Sequence, residues 1–218
     1  MTRSFAIAAA TALCLSTPAA AATVAYQVDA NTTGNQSYTG VLGMDFVVNQ
    51  SIDVLSLGAF DADGDGLNRS TTLVTELWSR DGNQSGQILA STSFTSADAG
   101  TLVGGSLFKT IAALTLGAGQ YSIVSYGYNS VDQNGNKGVS AGTWTTNDAG
   151  GALSFVGGSR FGGTLGGTIG DTLDSGPDDR YAAGTFSYEI SAVPVPAALP
   201  LMLIGLGAFG LAKRRKTA

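Results

Sequence analysis

Asp61-Ala62-Asp63-Gly64-Asp65-Gly66 sets three carboxylates at alternate positions, followed by a glycine that permits a sharp bend. Carboxylate oxygens converging in this way hold a hard, oxygen-seeking cation, calcium above all. A twelve-residue calcium loop counted from Asp61 needs a bidentate Glu at its end, where Thr72 stands, and Arg69 places a positive charge at its ninth position. The same residues also suit a plain acidic turn between strands, in which Asp and Gly satisfy the bend. Both readings stay open, with Asp61, Asp63 and Asp65 as candidate calcium ligands. Asp178, Asp179 or Glu76 would have to be brought in by the fold to complete a shell.

Other chemistry is scarce. The chain contains no histidine, and its one cysteine, Cys14, lies in an N-terminal apolar run. Ser-His-Asp and Cys-His machinery and the usual zinc sites are thereby excluded. A glycoside hydrolase needs two carboxylates about 5 to 9.5 Å apart across a cleft. Sixteen acidic residues supply such a pair by chance, so their number carries no weight. Lys109 and Lys137 lie in no recognisable motif. No catalytic residue is assigned, and the chain is expected not to be an enzyme. Trp78, Trp144, Tyr126 and Tyr128 either fill a core or form a strip on which sugar rings could stack; core packing is the expectation.

Residues 23 to 192 carry six cations against all sixteen acids of the chain, a net charge of −10. The −5 of the whole chain hides this, because five of its eleven cations lie in the two ends. An acidic body of about 170 residues is large enough to bury one core without cross-links, and it repels nucleic acid.

Both ends read as addresses. Arg3, the apolar run Phe5 to Leu15 and the small-residue exit Pro18 to Ala22 build a secretory signal peptide over residues 1–22, with cleavage by signal peptidase after Ala21 or Ala22. At the other end Val193-Pro194-Val195-Pro196-Ala197 leads into an apolar segment, about 197–212, that stops at Lys213-Arg214-Arg215-Lys216. Sixteen residues make about 24 Å of helix, a minimal transmembrane span. Prolines start it, and the basic cluster holds its far end on the cytoplasmic side.

A proline-containing pentapeptide, a short apolar helix and a basic cluster, in that order, resemble the VPLPA-CTERM variant of the PEP-CTERM sorting signals. Val195 stands where that motif has Leu. The resemblance implies export across the inner membrane of a Gram-negative bacterium and a single-pass membrane intermediate. It also implies cutting near residues 193–197 by an exosortase-type membrane protease, with delivery to the cell surface or medium. The simpler alternative is a single-span anchor that is never processed.

The body, residues 23–192, reads as strand. Leu42, Met44, Phe46 and Val48 share one face, as do Phe186, Tyr188 and Ile190. Further strands are predicted over Val24 to Val28, Ile52 to Phe60, Leu73 to Ser79, Gln87 to Phe94, Leu107 to Leu116, Gln120 to Tyr128 and Ala152 to Val156. Turn clusters separate them at Asn31 to Asn35, Asp81 to Asn83 and Asn134 to Asn136, and the only helical hint is one turn at Ser96 to Gly100. This pattern predicts an all-β fold, an antiparallel β-sandwich of jelly-roll kind, with helices only at the two ends. The glycine-rich tract Gly157 to Gly176 has no phosphate-loop spacing and is predicted to be a long loop.

Between Tyr38 and Tyr128 the body also resembles the DUF4082 type of exported β-sandwich domain. The likeness rests on Leu42 to Val48, Ile52 to Asp61, Asp63 to Leu67, Glu76-Leu77-Trp78 and Leu116 to Tyr121. Asp179 to Phe186 is similar to the strand that closes many PEP-CTERM bodies. These resemblances imply a structural or adhesive surface protein within exopolysaccharide and bring no catalytic residues. A carbohydrate- or calcium-binding module is the first alternative, and a secreted carboxylate-dependent hydrolase the second.

Overall fold

The computed structural model describes residues 22–80, 86–139, 144–163, 165, 169–170 and 172–192. The predicted signal peptide up to Ala21, the turn Asp81 to Asn83, the motif Val193 to Ala197, the apolar segment and the basic cluster Lys213 to Lys216 lie outside the described residues. Among the described residues there is no α-helix and no helix long and apolar enough to cross a membrane. The described residues form thirteen strands: β1 (Thr23–Val24), β2 (Tyr26–Val28), β3 (Val41–Val48), β4 (Ile52–Phe60), β5 (Thr72–Ser79), β6 (Ile88–Thr95), β7 (Thr101–Val103), β8 (Ser106–Leu116), β9 (Gly119–Tyr126), β10 (Trp144–Thr146), β11 (Leu153–Gly162), β12 (Thr172–Leu173) and β13 (Gly184–Ile190).

Every pairing between them is antiparallel. One sheet has the order β1-β13-β4-β8-β7 and the other β12-β11-β3-β9-β5-β6, while β10 and β2 form a separate ribbon. Alternation decides which face is covered. Met44, Phe46 and Val48 of β3 meet Ile52 and Val54 of β4 and Phe186 and Tyr188 of β13 in one apolar cluster drawn from both sheets. A second cluster continues the core through Leu42, Phe60, Leu73, Phe94 and Tyr128.

Along β4 the inward positions change parity, from Ile52 and Val54 to Leu57 and Ala59. The register with both neighbours skips Leu55, and this bulge keeps four apolar side chains on the core face despite the change in sequence phase. Gly43 is required where β3 crosses β9, because a Cβ there would stand 2.5 Å from the Ile123 carbonyl oxygen and 2.5 Å from Val124 Cγ1.

Three expectations are corrected. Val24 to Val28 is not one strand: it breaks at Ala25, so that β1 joins β13 and β2 joins β10. The glycine-rich tract is not loop from Gly157 onward, because β11 runs to Gly162, pairs Arg160 with Gly43 and Phe161 with Leu42, and is then paired by β12. Hydrogen bonding to an available edge of β3 outweighs the poor strand propensity of glycine here. Asn134 and Asn136 do not mark a surface turn either. Both are fully buried and bridge to Gln36 and Tyr181.

Candidate functional site

The outer face of the larger sheet carries charge where a solvated face would be expected. Asp45 alternates outward from β3 and lies across from Ser122 of β9, whose hydroxyl donates to Asp45 Oδ1. Arg160 Nε reaches the same oxygen at 2.6 Å, and Arg80 Nη1 reaches Oδ2 at 3.1 Å. Arg160 Nη1 also donates to the Gly170 carbonyl at 3.2 Å, which ties that residue of the glycine-rich tract to the sheet. Nearby on β5, Glu76 accepts from Trp78 Nε1 and from the Tyr126 hydroxyl, each at 3.0 Å. Burial, then the bond to Glu76, pushes the Tyr126 phenol up to about 12. These carboxylates are committed to donors already in place. They hold structure and leave no free base.

Asp61 directly follows β4, with 1% of its surface exposed. Its Oδ2 accepts the Gly66 N–H at 3.1 Å, and its Oδ1 is buried with no hydrogen-bond partner. Burial pushes this carboxyl up to about 6, the Gly66 bond opposes it, and Asp65, Asp132 and Asp63 add repulsion. Asp63 takes φ +62° and Gly66 φ +89°, the tight bend anticipated from the sequence. Asp63 Oδ1 is occupied by the Thr33 hydroxyl, and both oxygens of Asp132 by Asn68 N–H, with Thr71 adding a hydroxyl. Among the described residues no group of three carboxylates is gathered closely enough to hold a metal. Glu76 lies on the outer sheet face, and Asp178 and Asp179 line a different cleft with Asp148. Of the acids that repel Asp61, Asp132 lies 71 residues further along the chain and in no pattern with it.

The four singled-out aromatics form no exposed strip. Trp78, Trp144 and Tyr128 are buried, and Tyr126 is half-buried. Trp144 Nε1 donates to the Asp179 carbonyl at 2.7 Å, and Tyr128 donates to the Ala183 carbonyl at 2.7 Å. Packing, with the polar tip satisfied, accounts for both.

A cleft of about 440 Å³ opens instead where the loop before β3 meets β11 and β12. Tyr38, Leu42 and Phe161 supply its apolar wall, and Gln36, Asp174 and Arg180 its polar one. Asp174 Oδ1 accepts Arg180 Nη1 at 2.6 Å and the Gly176 N–H at 2.8 Å, while Oδ2 accepts the Tyr181 hydroxyl. Burial opposes ionisation of Asp174, but the bonds from Tyr181, Gly176 and Arg180 together outweigh it and hold the carboxyl below its usual value. Arg180 Nε is fixed in turn by Asn136 Oδ1 at 2.9 Å. Sequence reasoning missed this cleft because its residues come from positions 36 to 181 and make no local motif.

A family model described as the PEP-CTERM protein-sorting motif matches residues 192–216. It begins two residues after β13 ends and implies export and processing by an exosortase-type protease. No curated protein and no solved structure matches the chain. The resemblance of the body to DUF4082 domains rests on its sequence alone.

Proposed function

We propose, from the premise of a C-terminal sorting motif, that the chain is a non-enzymatic exported protein. It crosses the inner membrane of a Gram-negative bacterium, passes through a single-span intermediate and is delivered to the cell surface or extracellular matrix. There it has a structural or adhesive role in exopolysaccharide. The observation that carries this reading is the match at residues 192–216, placed directly behind the last strand of the body. The strand order supports a jelly roll. With β1, β3, β4, β5, β6, β8, β9 and β13 counted one to eight, one sheet runs 1-8-3-6 and the other 2-7-4-5, with the remaining strands added at the edges or in the ribbon. A whole chain without histidine, and carboxylates engaged as at Asp45, Glu76 and Asp174, argue for scaffold over hydrolase. The Asp61 loop is read as a turn.

Intact-mass analysis of the protein from membrane, surface and medium fractions of its own cells tests this. The expected mass starts at Ala22 or Thr23 and ends between Pro194 and Ala197, in the surface or medium fraction. A mass that retains Lys213 to Lys216, found only in membranes, overturns sorting.

A further inference from the structure

We infer that the cleft between Tyr38 and Arg180 is a binding site for a neutral pyranose unit of a polysaccharide. The inference rests on the surface and exopolysaccharide reading above and gives it a site. At about 440 Å³ the cleft falls within the range of small-ligand pockets, about 300 to 1,000 Å³. Behind buried Leu42, part of its apolar wall is left uncovered: Tyr38 and Phe161 are half-buried, meet edge to face at 6.5 Å and 76°, and stand beside Leu173, which is half exposed. The Tyr38 ring is seated over Gly40, where a Cβ would come within 2.6 Å of its Cε1. A pyranose presents C–H groups on one face and hydroxyls at its rim, which matches a ring wall opposite a polar one.

The polar wall is rigid and has donors to spare. The Arg180 guanidinium is packed between Gly138 and Gly176, at either of which a Cβ would come within 2.6 Å of its terminal nitrogens. Its Nη1 and Nε are taken by Asp174 and Asn136, which leaves Nη2 with no hydrogen bond among the described residues. Gln36 Oε1 is likewise taken by Asn134 Nδ2, so Nε2 is the free end of that amide. Asp174 and Arg180 cancel in charge, and the body's −10 repels polyanions, so the cleft selects a neutral sugar over a uronate.

The full chain, held in an amine-oxide detergent that carries no sugar headgroup, is titrated with two probes. These are the neutral and the acidic oligosaccharides from a partial hydrolysate of the cells' own exopolysaccharide, separated on an anion exchanger. Saturation-transfer NMR is expected to show binding of the neutral fraction, and Tyr38→Ala to weaken it at least tenfold while circular dichroism shows the β fold retained. Gln36→Glu, which keeps an acceptor for Asn134 Nδ2 but removes the amide donor, is expected to weaken it several-fold. Binding of the acidic fraction alone, binding indifferent to both substitutions, or no binding overturns the inference. A protein found processed at the surface that binds neither fraction removes this site and leaves the sorting reading intact.

Discussion

Arg160 places its Nε 2.6 Å from Oδ1 of Asp45, with none of the arginine side chain exposed to solvent. The carboxylate is shared with Arg80, so one negative charge separates two buried guanidiniums. Arg80 feels the arrangement: burial lowers its pKa first, Asp45 opposes the loss, and Arg160 adds to it.

Removing the shared partner should therefore cost more than removing either arginine. Asp45→Ala removes the carboxylate that both guanidiniums share and is expected to destabilise the protein by about 3–5 kcal/mol in urea unfolding. Arg160→Met replaces one of them with an apolar chain of similar length and should cost clearly less. Equal losses from both substitutions would mean that the pair contributes packing alone.

Asp61 sets a pH dependence of defined sign. Its folded pKa of about 6 lies above the ordinary value near 4, so the folded state keeps the proton longer than the unfolded one. The stability it withholds is therefore absent below about pH 4, grows as the pH rises towards 6 and stays constant above. Asp61→Asn should raise stability at pH 7 by about 1–3 kcal/mol and remove that part of the slope between pH 4 and 6. A wild-type minus variant difference that is flat across this interval would reject the assignment.

Calcium is expected to leave thermal melting unchanged at pH 7, because the oxygens around Asp61 are dispersed among Thr33, Gly66, Asn68 and Thr71. A cation at 100 times its dissociation constant would add about 2.7 kcal/mol. A rise of that order, reversed by chelator and lost in Asp61→Asn, would restore the calcium reading.

Two glycine substitutions should behave oppositely. Gly43→Ala forces a Cβ into the Ile123 carbonyl and should cost about 1–3 kcal/mol. Gly117→Ala meets nothing within 4 Å, and by restricting the unfolded chain it should be neutral or stabilising by about 0.4–1 kcal/mol. Chemical denaturation of the pair checks the β3–β9 approach.

What the sequence conveyed of this structure was whatever period two controls. Ile52 to Phe60 is read as a strand and is one to the residue, and β3, β5, β6, β8 and β9 agree within a residue or two at each end. The strands that escaped, β7, β10 and β12, span only two or three residues, too few for alternation to appear, and exist because an edge was available to pair with. Asp45 is readable as an outward position, yet nothing local announces that Arg80 and Arg160 will cover it. The cleft is hidden for the same reason, since Tyr38, Phe161 and Arg180 converge only through sheet register and the buried Asn134 to Asn136 link.

Thr23 pairs with Tyr188, so the first residues after the expected export cleavage lie beside the strand that leads to the sorting motif. In this antiparallel pair Thr23 and Ile190 lie at the same end of the sheet, and the seven residues that follow Ile190 as far as Ala197 can span at most about 25 Å. Because β13 is inserted between β1 and β4, the sheet is incomplete without the chain as far as Ile190. A truncated or stalled polypeptide would lack both this staple and the tail behind it. Under the proposed trimming of both ends, the released body would begin and finish at the same edge of the sheet.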